Sequence, residues 1–363
     1  MIRSLPILLV LALGASAPAD ISLVKGEENT VSFYGFLRLE AAYQDHGMNH
    51  LVASRYPMPD EPEYDDDSVN LTAMNSRFGF KWTGPALPGG TRIGGGFEFD
   101  LFDPSSRNQM KARTRLAFLE LKGDQYSLIA GQHWDLFGAG LTRSLITNGF
   151  YWETGNTGFR RAQLRYTRFL GDAQDLAVSV GDPATAAGIF NGMPVFQARY
   201  GFKWGDGKRS GAGVYAAWGE EKVEGQAVPI EGMGFDLSWA VSPSLTLLAE
   251  LSTGKNLKIF LSRAGTRPLA DGGIRGQKTV AGFLQVIYTV NRVELYAGYA
   301  TERFDDPIPT RTLGDSDAVY GGTVHNLGRG VSYGLELTRF TGDYEGMNQA
   351  KAHQATFAFT YSF

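Results

Sequence analysis

Arginine pairs at even spacing mark this chain: Arg77 with Lys81, Arg113 with Arg115, Arg161 with Arg165, and Arg199 with Lys203, besides Arg38 two residues before Glu40. In an extended chain, even separations place side chains on one face. Guanidinium groups stay charged at any relevant pH and offer forked donors to carboxylates. A surface carrying them therefore binds small anions. Acids follow the same phase at Glu98, Asp100, Asp236, Glu250, Glu294 and Glu336. The cations gather in the first half of the chain. Apart from Glu40, the acids lie at 98–100 and in the second half. Two walls of opposite sign across an aqueous space would set up a transverse field that aligns charged solutes.

Other chemistry is poorly supported. There is no cysteine, so thiolate metal sites and disulfides are excluded. His46 and His50 are four apart, but Gly47 stands where a zinc-protease motif needs glutamate. No nucleophile elbow, Walker-type loop or dinucleotide fingerprint occurs. A net charge of −4 offers no basic stripe for nucleic acid. No enzyme activity, cofactor or metal is expected.

The elements that must position these residues are strands. Segment 356–363 alternates aromatic and small residues to the last position, and 196–204 and 233–239 alternate similarly. Strand segments near 31–43, 70–83, 91–102, 111–122, 125–132, 158–169, 174–181, 195–204, 210–219, 230–241, 244–253, 278–290, 293–303, 315–325, 330–340 and 353–363 make 16. Many reach the length of about ten residues that a tilted strand needs to cross a bilayer, and many end in Trp, Tyr or Phe. Short turns at 123–124, 171–172, 205–207, 242–243 and 291–292 alternate with long polar loops at 44–69, 133–157, 182–194, 254–277 and 304–314. At the N-terminus Arg3, the apolar run 5–13 and the small residues Ala17 and Ala19 read as a secretory signal, 1–19, with cleavage before Asp20. Residues 20–363 then form one all-β unit, a 16-stranded antiparallel transmembrane β-barrel. Closure is required because an open edge in lipid leaves backbone groups unpaired.

One segment resists this reading. If Arg113 and Arg115 face the lumen, strict alternation turns Thr114, Leu116, Phe118 and Glu120 toward lipid. A carboxylate there is costly, and Ser76 is a poor lipid contact. The expectation is a homo-oligomer that covers the first few strands.

At these residues the chain resembles general bacterial outer-membrane porins, most closely the DcaP-like porin group. Ser76-Arg77-Phe78-Gly79-Phe80 and Thr114-Arg115-Leu116-Ala117-Phe118 are similar to the porin strands that carry constriction arginines. Gly131-Gln132-His133-Trp134-Asp135-Leu136-Phe137 resembles the entry to the third loop, and Phe159-Arg160-Arg161 the next basic strand. Gly334-Leu335-Glu336 and Tyr361-Ser362-Phe363 resemble the last hairpin. The resemblance implies an inward-folded third loop, a homotrimer, and passive diffusion of small, preferentially anionic solutes such as carboxylates. It also implies that the aromatic end, Tyr361 and Phe363, is read by the barrel-assembly machinery. Two features depart from the family: the segment before the first strand is short, and the third loop has only two acids, Asp135 and Glu153.

The expected eyelet lies between the loop at 133–157, with Asp135 and Glu153, and a basic wall of Arg77, Arg115, Arg161 and Arg165. Arg113, Lys81 and Arg38 extend the basic path. In a wet pore such contacts hold a solute weakly enough to release it. The alternatives are a sugar-selective channel, for which Tyr215 and Tyr296 face inward, and a non-conducting structural or adhesive barrel. An outer-membrane lipase would need a lipid-facing serine near a histidine, and the five histidines are scattered. The acidic run Asp60–Asp67 reads as a solvated loop; it could instead bridge to lipopolysaccharide through divalent cations, but lacks calcium-loop spacing.

Overall fold

The computed structural model describes residues 20–26, 28–50, 53–103, 110–183, 192–268, 272–305 and 309–363; the expected signal, 1–19, lies outside them. Twenty strands follow in order: β1 (Ile21–Lys25), β2 (Thr30–Gln44), β3 (Ser68–Thr72), β4 (Arg77–Ala86), β5 (Arg92–Asp100), β6 (Arg113–Lys122), β7 (Tyr126–Trp134), β8 (Arg160–Phe169), β9 (Gln174–Gly181), β10 (Gly192–Trp204), β11 (Ser210–Val223), β12 (Gln226–Ala240), β13 (Leu245–Lys255), β14 (Thr266–Pro268), β15 (Ile274–Gly276), β16 (Lys278–Val290), β17 (Val293–Phe304), β18 (Leu313–Gly328), β19 (Val331–Tyr344) and β20 (Gln349–Ser362). Each wall strand pairs antiparallel with the next, and β20 returns to β2 with Phe36 opposite Ser362. β3 and β4 both pair with β2 and together make one interrupted wall strand. β14 and β15 form a separate hairpin inside a loop. The result is a closed barrel of 16 staves, as the periodicity implies.

Alternation fixes the two faces. On β2, Leu37, Leu39 and Tyr43 are exposed, while Glu40, Ala42 and Gln44 are buried. The same contrast runs through β9, β10, β19 and β20. The exposed set is apolar, as lipid requires, and the buried set is small, polar or charged.

Several expected boundaries shift. The fourteenth strand, expected at 315–325, is one of the longest. The strands expected at 210–219 and 230–241 run on to meet at a tight turn, Glu224–Gly225, where Glu224 adopts a φ of 50° and Gly225 of 80°. The strand expected at 70–83 breaks at 73–76. There Ser76 is buried; its Oγ accepts from the Arg38 amide at 3.0 Å. Ser76, a poor lipid contact by its type, thus satisfies a backbone group that the broken ladder exposes.

A β-bulge resolves the resistant segment. Glu98 faces Leu116, but Phe99 faces Thr114, leaving Arg115 as the extra residue. Arg113 and Arg115 both point inward, and beyond the bulge Leu116, Phe118 and Glu120 point inward as well. Glu120 accepts from Ser127 Oγ at 2.6 Å, and Leu119 is the exposed residue. The outward Glu120 is therefore corrected, and with it the main sequence reason for a covered face.

Candidate functional site

The bulge and its neighbours build a continuous ionic network on the inner face. Arg115 Nε donates to Glu98 Oε1 at 2.7 Å and its Nη1 to Asp100 Oδ2 at 2.9 Å. Arg113 Nε donates to Asp100 Oδ1 at 2.9 Å, and Arg77 lies 3.6 Å from Glu98. Tyr34 OH also donates to Glu98, at 3.2 Å. Arg38 pairs with Glu40 at 3.1 Å. Arg115 is 0% exposed, whereas the side chains of Arg113 and Lys81 are 32% and 57% exposed. Lys81 sits over the Tyr34 ring and pairs with Asp20 at 3.5 Å.

The third loop (135–159) folds inward, crosses the lumen and is pinned to the far wall by the acids there. Glu336 accepts from Ser144 Oγ at 3.0 Å, the Leu145 amide at 2.8 Å, Tyr151 OH at 2.9 Å and Tyr296 OH at 2.6 Å. Glu250 accepts from the Gly140 amide at 2.7 Å and from Thr157 Oγ1 at 3.1 Å. Glu294 pairs with Arg143, and Gln285 exchanges hydrogen bonds with the Arg143 backbone. On the near side, Asn148 Oδ1 accepts from Arg113 Nη2 at 2.9 Å, and Arg38 donates to the Leu145 carbonyl. Gly155, at a φ of 133°, lies so close to the wall that an added Cβ would fall 2.4 Å from the Gly282 carbonyl oxygen. The acidic wall therefore acts first as the anchorage of the loop, and only the remainder of its charge faces open water.

The two loop acids serve different joints. Asp135 sits at the root, held by Arg161 Nη2 at 2.9 Å and Gln197 Nε2 at 2.9 Å. Arg161 is buried with it, and its Nη2 also reaches the Ile259 carbonyl at 3.0 Å. Arg165 has no acid within ion-pair distance among the described residues and donates to Gln163 Oε1 and the Trp134 carbonyl. Glu153 pairs with Arg55 of the first loop (45–67). Its carbonyl accepts from Arg263 Nε at 2.9 Å, from the loop between β13 and β16. Arg263 in turn binds Glu302 of β17 at 3.2 Å and Ser316 Oγ of β18 at 3.0 Å. Three loops thus share one clasp. Phe150, Tyr151 and Glu153 all adopt left-handed backbone there, with φ of 45°, 58° and 63°; such conformations persist only where surrounding contacts over-determine them. Burial, then the Arg55 charge, holds the His50 imidazole below its ordinary value. Burial, then Glu336, raises the Tyr151 phenol well above its own.

Sequence reading missed the first loop as a second inward element. Met48 packs in one buried cluster with Leu145, Ile146, Tyr151 and Phe340. It also missed Arg55, Arg143, Asn148 and Arg263, whose loop positions carry no periodic signal. Arg160 was missed for another reason: Arg161 faces inward, so alternation assigns Arg160 to lipid, yet it is buried between the Trp134 and Phe159 rings. Tyr215 and Tyr296 do face inward, but packing takes both: Tyr215 meets Phe137 at 4.9 Å and Tyr296 binds Glu336. Of the acidic run, Glu61 pairs with Arg311, Asp65 with His46 at 3.3 Å, and Asp67 with Tyr43 at 3.0 Å. Among the described residues no group of three such side chains is arranged to hold a metal. At the carboxyl end, the Phe363 ring lies 5.1 Å from Phe33 and 6.0 Å from Tyr361.

Comparison with known proteins agrees with this architecture. The Gram-negative porin model matches residues 7–345. The outer membrane channel DcaP of Acinetobacter baumannii superposes with a TM-score of 0.77 at 19% identity, over 94% of this chain and 99% of that one. An anion-selective porin from Comamonas acidovorans gives 0.64 at 16% identity, over 93% and 100%. OmpT of Vibrio cholerae, in a trimer form, gives 0.59 at 15% identity, over 93% and 100%. No curated protein sequence matches the chain. A closed 16-stave barrel, an inward loop anchored on wall acids and a family match over most of its length agree: the chain belongs to the Gram-negative porin family, and it is a channel of the outer membrane rather than an enzyme.

Proposed function

We propose that this porin passes small hydrophilic anions, of the carboxylate type, by passive diffusion. The observation that carries this reading is the charge balance of the inner wall where the third loop meets it. Among the described residues, Arg77, Arg113, Arg115 and Arg160 share two acids there, Glu98 and Asp100. Arg115 and Arg161 act beneath the surface, fixing wall and loop. Arg113 and Lys81, with Arg77 and Arg165 behind them, present the charge that a solute meets, while Arg38, paired with Glu40 and bound to the Leu145 carbonyl, holds the loop together with Asp135 and Glu153. A field of this sign concentrates anions and repels cations, and each contact is weakened by water enough to let the solute leave.

The chain functions as a homotrimer in this reading, as the OmpT trimer form suggests. The leader 1–19 directs export, Tyr361 and Phe363 present the end that the assembly machinery recognises, and the acidic first loop faces lipopolysaccharide. Reversal potentials in a potassium chloride gradient test the selectivity. An anion-preferring potential is expected, and a clear cation preference overturns the reading. Absence of any conductance would instead favour a plugged, structural barrel.

A further inference from the structure

The root of the third loop holds a set of donors with no acceptor. Nε and Nη1 of Arg160, Nη2 of Arg115 and Nε1 of Trp152 are all buried without a hydrogen-bond partner. They surround one indole. The Trp134 ring centroid lies 5.0 Å from the Arg160 guanidinium carbon, 5.8 Å from that of Arg115 and 6.4 Å from the Trp152 ring. Phe159 covers the Arg160 guanidinium at 4.6 Å, and Phe150 and Phe159 flank Trp152 at 5.3 and 5.9 Å.

Arg160 is 7% exposed and makes no ion pair among the described residues. The cations that act on it are Arg115, Arg113 and Arg77, and the acids that oppose them are Asp100 and Glu98. Both acids are already committed elsewhere, Asp100 to Arg113 and Arg115, and Glu98 to Arg115, Arg77 and Tyr34. A guanidinium taken out of water without a counter-charge is strongly disfavoured, and unpaired buried donors add their own cost. The aromatic faces recover part of this through cation–π contact, yet they leave the N–H groups unmet. What the site lacks is an acceptor carrying negative charge.

We propose that Arg160, with Arg115 Nη2 and Trp152 Nε1, forms a small-anion subsite beside Trp134, taking a carboxylate or a halide. It deepens the anionic reading above and rests on it for its role in conduction. An anion held there would neutralise Arg160 and dwell at the root of the loop before passing on. Arg160 is the specificity-determining residue of this subsite.

The test is titration of the purified, detergent-solubilised porin with sodium succinate at constant ionic strength, following tryptophan fluorescence. A saturable change is expected in the native chain and in Arg168→Gln, an exposed arginine on the same strand. In Arg160→Gln the midpoint is expected to move up at least tenfold. An equal response in Arg160→Gln, or none in the native chain, overturns the subsite. If Arg160→Gln fails to show the heat-modifiable mobility of a folded barrel, bromide-soaked crystals of the native porin decide: an anomalous peak at the Arg160 guanidinium is expected, and its absence overturns the proposal. Anion preference in a salt gradient with no saturable succinate response removes the subsite and leaves the anionic reading standing. A saturable response without anion preference does the reverse.

Discussion

Tyr151 donates its hydroxyl to Glu336 Oε1 at 2.9 Å, joining the tip of the third loop to β19 on the far side of the barrel. Glu336 is completely buried and also serves Ser144, Leu145 and Tyr296, so one carboxylate sets the position of the whole loop. Replacing it with alanine strands those donors, and each buried unmet group costs about 1–3 kcal/mol. Glu336→Ala should therefore release the loop. Planar-bilayer recording is expected to show higher, noisier single-channel conductance, and unchanged conductance would mean that the loop is held elsewhere.

The clasp between Arg55 and Glu153 should behave as a latch of the outer mouth. Arg55→Ala frees the first loop from the third while leaving the wall intact. Faster proteolysis within 45–67 on intact cells is the expected outcome. Equal protection in the variant would show that Met48 and its apolar neighbours hold the loop without the ion pair.

Arg115→Gln should affect the fold more than the selectivity. It leaves Glu98 and Asp100 short of a partner in a dry part of the wall, and breaking such a buried pair costs about 3–5 kcal/mol. The urea midpoint should fall by far more than for Arg113→Gln, whose side chain is partly in water. Arg113→Gln should instead lower the anion preference. A selectivity change confined to Arg115→Gln would reverse these assignments.

His50 makes stability depend on pH. Its folded value is held down by burial and by Arg55, against the partial opposition of Glu153. Above the ordinary value of 6.5 both folded and unfolded forms are neutral, and the full stability is present. As pH falls below 6.5 the unfolded chain takes up a proton that the folded chain refuses, so stability is lost progressively until the folded value is passed. Denaturation between pH 7 and 5 should show this slope, and His50→Gln should flatten it.

The bulge at Arg115 is tested by labelling. A cysteine at Leu119 should react only with lipid-soluble reagents, and one at Glu120 only with water-soluble ones. The opposite pattern would restore strict alternation through β6.

The barrel was legible because period two is a covalent property of strands, and because lipid forces the outward set to be apolar. Leu37, Leu39 and Tyr43 announce their face without any knowledge of their neighbours. What failed was phase. Arg115 inserts one residue, and every assignment after it inverts, so Glu120 was placed on the wrong side. Arg160 escapes the same rule at the start of β8, where aromatic packing outweighs the pleat. The anchoring of the third loop was hidden for a different reason. Glu336 reads as an ordinary lumen acid, and its partners, Ser144 and Tyr151, lie nearly 200 residues away in a loop with no period.

β1 gives the seam of the barrel a further property. It occupies the edge of β2 at Thr30–Phe33, just beyond the point where Phe363 exchanges backbone hydrogen bonds with Gly35 at 2.9 and 3.0 Å. β20 has no free edge left to slide along in that direction. A slip of two residues would keep every side chain on its proper face, so the pleat alone does not forbid it. It would, however, change the shear, which together with strand number sets the diameter of a closed barrel. The five residues of β1 stand as an end stop against such a slip, and so help to hold the shear on which the bore of the channel depends.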